Sequence, residues 1–258
     1  LEEALRRRMI KYKVIGGQSF YDRKEVKGSL AILKMMANPD DRVAFQKVVD
    51  VCCKGVGEKS ISIIIDYAIQ NQVTVLDSAR KFSTLNSAQA RALGFFLDAF
   101  FEAKQLPPSE SLIRLAQKTS FWSRMESDST PDNDRCANIQ EVADDLYHYF
   151  EENPGGTISG YLQAVSLMSS SDEDVDEDGQ VRLMTMHASK GLEFPHVYVS
   201  HCCNGIIPHA RTLSIENPRE REFQKEEERR LLYVAMTRAQ KTLDMCFFRV
   251  KGGRGRQQ

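Results

Sequence analysis

The stretch VRLMTMHASKGLEFPHVYV, residues 181–199, decides the fold that this sequence predicts. Alternating side chains in residues 181–185 indicate one strand, and the apolar residues 197–199 indicate another. A polar turn, His-Ala-Ser-Lys-Gly at 187–191, lies between them. We therefore expect two strands, with polar side chains collected at the end of the first one.

The sequence on either side of this stretch adds a helix and two more strands. Residues 218–241 are charged with helical periodicity, and residues 243–250 predict a last strand. Near the other end, the alternation that runs up to Val14 predicts a short strand, which Gly16-Gly17 ends. Because strands and helices alternate at both ends of the chain, we predict a small α/β sheet domain made from the two ends.

The middle of the chain has helical periodicity almost throughout. Helices are predicted at about 26–37, 60–71, 74–82, 86–104, 109–125, 136–152 and 157–168. The segment SSSDEDVDEDG, residues 169–179, has the composition of a solvated linker. The middle is therefore predicted to be all-helical and to end in an acidic linker.

The distribution of charge follows the same division. The net charge of the whole chain is −1, but residues 29–179 carry 13 basic and 24 acidic residues, a net of −11. Residues 1–28 and 180–258 together carry 22 basic and 12 acidic residues, a net of +10. This division predicts a discontinuous domain, 1–28 plus 180–258, with 29–179 inserted. A chance fluctuation combined with one acidic linker is the alternative, although the middle is still at −5 without the six acids of the linker.

Composition excludes several classes of protein. With 41% hydrophobic and 28% charged residues, the chain is of the ordinary globular type. No run approaches the ~18 apolar residues of a membrane span, and residues 1–13 carry too many charges for a signal peptide. We expect a cytosolic protein. Because the chain begins at Leu1, we also expect it to be part of a longer protein.

Neither the cysteines nor the acidic residues predict a metal site. The six cysteines include no C-x-x-C pair, and we expect reduced, buried thiols. Asp174, Asp176 and Asp178 fit the start of a calcium loop, but its last position is Thr185 where a glutamate is required. No metal ligands are therefore predicted.

The segment Gly55-Val56-Gly57-Glu58-Lys59-Ser60 is a candidate phosphate contact. It is not a Walker-type phosphate-binding loop. That loop has the pattern G-x-x-x-x-G-K-[ST], in which lysine directly follows the second glycine, and no segment of this sequence fits it. A Gly-x-Gly turn that opens a helix still presents free backbone N–H groups to a phosphate, and Lys54 and Lys59 add positive charge. A plain tight turn between two helices is the alternative.

Two further sets of side chains are candidates for binding. Thr185, His187, Lys190 and Glu193 follow a predicted strand, and ligands of open α/β sheets bind at the carboxyl ends of strands. Arg238 is predicted to share a helical face with Leu231 and Val234, which would place a charge on the buried stripe. It must then meet a carboxylate, such as Glu193 or Glu227, the phosphate of a nucleotide, or water.

Three stretches resemble the C-terminal half of UvrD/PcrA/Rep-type superfamily-one DNA helicases. They are VIGGQSFYDRKEVKG (14–28), VRLMTMHASKGLEFPHVYV (181–199) and EEERRLLYVAMTRAQKTL (226–243), supported by GIIPH (205–209) and the GVGEKS turn. The resemblance implies that the two ends form a RecA-like motor lobe with a parallel sheet (subdomain 2A). It also implies that 29–179 is its inserted helical subdomain (2B).

The resemblance also implies roles for the candidate residues. Arg238 would reach the ATP γ-phosphate as a catalytic residue, and Glu193 would approach the nucleotide sugar. DNA contacts would come from Thr185, His187 and Lys190 on single strands and from Gly55, Gly57, Lys59 and Ser60 on duplex. Ser60 stands where the family often has threonine, which keeps the hydroxyl.

The implied activity is ATP-dependent 3′–5′ movement on DNA in repair or replication, in the bacterial cytoplasm at the nucleoid. ATP and Mg²⁺ would be held mainly by an N-terminal motor lobe, since the phosphate-binding loop and magnesium motif do not occur in this sequence. This chain alone is therefore expected to be inactive. Its implied partners are single-stranded DNA, duplex junctions, that lobe, and repair or replication proteins.

Two alternatives remain at this stage. One is a non-catalytic module with a helicase-like fold that binds DNA or a partner protein. The other is a motor fused to a nuclease, although the basic end KGGRGR, residues 251–256, shows no cluster of carboxylates.

Overall fold

The computed structural model describes residues 1–8, 10–83, 88–130, 134–169 and 179–247. The helices in these ranges are α1 (Glu2–Arg7), α2 (Lys24–Ala37), α3 (Arg42–Cys52), α4 (Glu58–Asn71), α5 (Val75–Ser83), α6 (Ala88–Ala103), α7 (Pro108–Lys118), α8 (Ser120–Ser127), α9 (Arg135–Glu152), α10 (Ile158–Ser169), α11 (Ala210–Leu213) and α12 (Pro218–Met236). The strands are β1 (Tyr12–Ile15), β2 (Val181–Met184), β3 (Phe194–Val199) and β4 (Ala239–Met245). Most of the acidic linker, the calcium-loop aspartates and the basic end lie outside the described residues.

The predicted α/β class is confirmed. Strands β3 and β4 pair in parallel, with Phe194 opposite Ala239 and Val199 opposite Met245. Strands β1 and β2 form a second two-stranded sheet. The chain between β1 and β2 is helical in the described residues, with one short 3₁₀ turn at Phe20–Asp22.

Capping residues explain where several helices begin. The carboxylate of Asp41 accepts a hydrogen bond from the N–H of Ala44 at 2.8 Å, and Asp134 does the same for Ala137 at 3.1 Å. Asn217 accepts from the N–H groups of Arg219 and Glu220, with Pro218 as first residue of α12. Each cap satisfies N–H groups that have no partner inside the helix.

The last helix and strand differ from the prediction. Helix α12 ends at Met236 rather than near Lys241, and β4 begins at Ala239 rather than at Leu243. The chain leaves the helix because residues from Ala239 onward pair with β3. Arg238 therefore follows the helix, and the expected helical face shared with Leu231 and Val234 is wrong.

Two predictions for helical and extended segments also need correction. The single helix expected at 109–125 is two helices, since Thr119 ends α7 and its hydroxyl accepts from the N–H of Phe121 at 3.5 Å to begin α8. The short strand predicted up to Val14 is β1, but it begins at Tyr12, and residues 2–7 ahead of it form α1.

The chain divides into two compact units, residues 1–13 with 18–181 and residues 14–17 with 182–258. In the first unit, α2 packs against α3, α7, α9 and α10. The largest fully buried side chains of this unit include Phe20, Phe45, Phe96, Phe100 and Phe121. The predicted division into 1–28 plus 180–258 and 29–179 places residues 1–13, 18–28 and 180–181 differently from these contact units, and it stays a prediction.

The described residues include no helix that is both long and apolar enough to cross a membrane. All six cysteines are free thiols, but only Cys52 and Cys53 are buried. The expectation of buried thiols therefore holds for this pair, while Cys246 is exposed.

Candidate nucleotide and DNA interface

The loop that follows β2 is held by hydrogen bonds of its own. The hydroxyl of Thr185 accepts from the N–H of Ala188 at 3.2 Å, and the buried Ser189 donates its hydroxyl to the carbonyl of Met186 at 2.7 Å. Gly191 has a φ of +83°, which favours glycine because other residues are strained there. The loop therefore has a defined shape that does not depend on a ligand.

The candidate side chains of this loop differ in what they do. His187 and Lys190 are exposed, and both leave their side chains in solvent at the surface of the loop. Thr185 is also exposed, but its oxygen already stabilises the turn. Glu193, at the other end of the loop, lies next to the first residue of β3.

Arg238 joins the end of α12 to the segment before β3. Its Nε donates to the carbonyl of Val234 at 3.0 Å and its Nη1 to the carbonyl of Leu192 at 3.0 Å. Its Nη2 donates to the hydroxyl of Thr237 at 3.0 Å. A cation at the carboxyl end of a helix is favoured by the helix dipole, so this position stabilises the half-buried guanidinium.

Neither carboxylate expected to pair with Arg238 does so. Glu193 accepts from the amide Nε2 of Gln240 at 3.1 Å, and Glu227 accepts from Arg230 on α12. Arg238 meets backbone carbonyls in their place. The salt-bridge alternative from the sequence is therefore wrong for both partners, within the part of the chain that the structure describes.

The second unit brings Arg238 and Glu193 to one edge of the β3–β4 pair. Both residues directly precede a strand, and the N–H of Phe194 donates to the carbonyl of Arg238 at 2.9 Å. Thr185 and His187 instead follow the carboxyl end of β2. Of the four residues expected at a carboxyl edge, Thr185 and His187 lie there. Lys190 lies further along the loop, and Glu193 lies at an amino edge.

The turn at 55–57 lies in the first unit. Gly55 has a φ of +90°, and Gly57 is the N-cap of α4 with no side chain that caps it. A Cβ at either glycine would meet no atom within 4 Å, so the backbone of the turn is open to solvent. Lys59 is exposed, and the hydroxyl of Ser60 donates to Gln89 at 3.2 Å.

Sequence reasoning missed three residues that shape these sites. Ser189 braces the loop, Gln240 orients Glu193, and Arg124 lines a groove beside Gly55. Gln240 had no readable signal, because the sequence predicted a helix as far as Lys241. No group of three or more His, Cys, Asp or Glu side chains in the described ranges is arranged to hold a metal ion.

Comparison with known proteins agrees with the resemblance seen in the sequence. The family model of the UvrD-like helicase C-terminal domain matches residues 1–249. The ATP-dependent DNA helicases PcrA of Staphylococcus aureus strain Mu50, S. aureus strain NCTC 8325 and S. epidermidis strain RP62A are each 32% identical over 252 residues. Each alignment covers 94% of this chain and 34% of the relative, so the chain spans about a third of their length. The predicted resemblance is confirmed, and the chain belongs to the UvrD-like helicase C-terminal domain family.

Proposed function

We propose that this chain supplies the second motor lobe and the inserted helical subdomain of an ATP-dependent DNA helicase that moves 3′ to 5′ on single-stranded DNA. Family membership and the names of the PcrA relatives support this proposal. ATP with Mg²⁺ is the cofactor, bound mainly by an N-terminal lobe of the same protein. The partners are single-stranded DNA and duplex junctions.

The anchored position of Arg238 is the observation that carries the proposal. Its guanidinium has five N–H groups, of which three donate to the protein among the described residues. The remaining two can bind an oxyanion. Because three contacts already fix the side chain, little conformational entropy is lost when a phosphate binds.

Bound ATP would supply the phosphoryl group whose transfer to water drives movement. Arg238 would stabilise the charge that develops on that group, as arginines do in other phosphoryl-transfer sites. Glu193 is held by Gln240 through Oε2, which leaves Oε1 to accept from a sugar hydroxyl. Nucleotide contacts would then come from the amino edge of the β3–β4 pair.

DNA contacts would come from the remaining candidate residues. Thr185, His187 and Lys190 would face a single strand, where the braced loop couples that strand to the segment carrying Glu193. Gly55, Gly57, Lys59 and Ser60 would contact the duplex backbone through the open turn at the start of α4.

The test is single-strand-stimulated ATP hydrolysis by the full-length protein with Arg238→Ala. An arginine in this role contributes ~10³–10⁵ in rate, so we expect turnover to be nearly abolished. The matched control is Arg229→Ala, which removes an exposed arginine of α12 that pairs with Glu226. Circular dichroism checks that both variants fold.

The outcomes separate the motor from its rival. Loss of turnover in Arg238→Ala, with near-normal turnover in Arg229→Ala, supports the motor. Near-normal turnover in Arg238→Ala shows that the arginine only stabilises the end of α12. A wild-type protein without DNA-stimulated turnover would favour a module that binds DNA or a partner without a motor.

A further inference from the structure

A groove lies beside the turn at 55–57, and its lining includes residues outside the GVGEKS segment that resembles the helicase family. Its volume is about 310 Å³, and it is lined by Asp50, Cys53, Lys54, Gly55, Val56 and Arg124. Arg124 belongs to α8 and is separated from Gly55 by more than sixty residues of sequence. The groove therefore exists only because α8 packs against the end of α3.

Helix α8 holds the end of α3 through two side chains one turn apart. Arg124 donates Nη1 to the carbonyls of Asp50, at 2.6 Å, and Val51, at 3.4 Å. Ser120 donates its hydroxyl to the carbonyl of Cys52 at 2.9 Å. Three consecutive carbonyls that have no partner within α3 are thus satisfied by α8, which fixes where the following turn begins.

Arg124 keeps its phosphate-binding edge free. Both of its hydrogen bonds leave from Nη1, so Nε and Nη2 carry no hydrogen bond among the described residues. These two groups form the planar fork that binds phosphate oxygens in pairs. Neither Arg124 nor the exposed Lys54 forms a salt bridge with a carboxylate in the described part of the chain.

The charges around the groove favour an anion with a single negative charge. Lys54 and Arg124 are positive and Asp50 is negative, which leaves one net positive charge. The thiols of Cys52 and Cys53 add no charge, because burial raises their pKa values, to about 12 for Cys52. A phosphodiester carries a single negative charge and matches this balance. A terminal phosphate carries two negative charges, and Asp50 would repel the second one.

We propose that Arg124 binds a backbone phosphate of duplex DNA through Nε and Nη2, while its Nη1 positions the turn at 55–57. The inference rests on the proposed function, because the turn at 55–57 contacts the duplex there. It adds a cation from α8 to a contact that the sequence assigned to residues 54–60.

The test measures how duplex affinity of the full-length protein depends on salt, by fluorescence anisotropy of a labelled blunt duplex. Each phosphate contact adds about 0.9 to the slope of log K against log salt concentration. We expect Arg124→Gln to reduce this slope by about 1 and to weaken binding to all duplex sequences alike. The matched control, Arg114→Gln, removes an exposed arginine of α7 and is expected to keep the wild-type slope.

A second variant separates binding from a structural role. Arg124→Lys keeps the charge but has no fork, so we expect an unchanged slope with weaker duplex affinity and unchanged single-strand affinity. Wild-type duplex affinity in Arg124→Lys overturns the inference, and so does a wild-type slope in Arg124→Gln. If Arg124→Gln does not fold, Arg124→Lys decides.

Lys59→Glu distinguishes failure of this inference from failure of the proposed function. We expect it to weaken duplex binding more than single-strand binding. If Lys59→Glu has that effect while both Arg124 variants bind like wild type, only the role of Arg124 is wrong. Wild-type duplex affinity in all of these variants would remove the turn itself from the duplex contacts.

Discussion

Arg6 is a buried charged residue of the helical unit, with 2% of its side chain exposed. Its Nε donates to Asp145 at 3.1 Å and its Nη2 to Glu141, both on α9, and its guanidinium lies 3.7 Å from the ring centre of Phe20. Burial raises the pKa of Asp145, and the attraction to Arg6 opposes that rise. Arg6 therefore favours the ionised form of Asp145 in a place where burial favours the protonated form.

Removing this cation should destabilise the protein most at neutral pH. We expect Arg6→Met to cost about 3–5 kcal/mol near pH 7, because two partly buried carboxylates lose their partner. The pKa of Asp145 is already raised in the folded state and should rise further in the variant. The free energy of unfolding should therefore fall as the pH rises above the pKa that Asp145 has in the unfolded chain. Near pH 4 more of Asp145 is protonated, and the loss should be smaller. Urea denaturation at both pH values measures it.

The neighbouring arginine provides the control for this experiment. Arg7 pairs with Glu3 at 2.7 Å, and 45% of its side chain is exposed. Arg7→Met should therefore cost no more than about 1 kcal/mol at either pH. Equal losses for the two variants, or a loss in Arg6→Met that does not depend on pH, would show that Asp145 and Glu141 do not need the cation.

At the scale of elements, two helical glycines have opposite surroundings. A Cβ on Gly28, in α2, would lie 2.8 Å from Cζ of the buried Phe121 of α8, whereas one on Gly94, in α6, would meet nothing closer than 3.6 Å. We expect Gly94→Ala to stabilise the protein by about 0.5–1 kcal/mol through helix propensity. Gly28→Ala should destabilise it by about 1–3 kcal/mol, because the ring must move within a packed core.

Thermal or urea denaturation of the two alanine variants compares them directly. Both substitutions make the same chemical change in a helix of the same unit, so intrinsic propensity cancels. A gain in stability for Gly28→Ala would mean that α8 can shift away from α2 without cost. That result would also weaken the argument that α8 rigidly positions the end of α3.

The boundaries of elements show what the sequence can and cannot predict. Periodicity predicted the helices of the middle, and Thr119 was a readable N-cap inside the segment expected to be one helix. The end of α12 had no such signal, since no proline or glycine occurs between 219 and 251. Its end depends on the pairing of Ala239 with Phe194, which is 45 residues away in sequence. The sequence therefore named Arg238 as important but put it on the wrong surface.

At the scale of the whole chain, the core is unevenly shared between the two compact units. The cluster of buried hydrophobic residues lies entirely in the helical unit. In the described part of the second unit, Val199 and Ala235 are the buried hydrophobic residues, while Tyr198 is 70% exposed and Tyr233 66% exposed. The alternation of the sequence predicted strands here. It could not predict how little apolar surface they bury, because burial depends on which other segments cover the sheet.

This imbalance predicts that the second unit opens before the helical unit does. The free energy of local opening follows the apolar surface that opening exposes, and parallel strands are ordinarily covered on both faces. In hydrogen exchange of this chain, we expect amides of β3 and β4 to exchange at least tenfold faster than those of α2 and α6, a difference of ~1.4 kcal/mol or more. Exchange of all four elements in one cooperative step would instead mean that the two units share one stability.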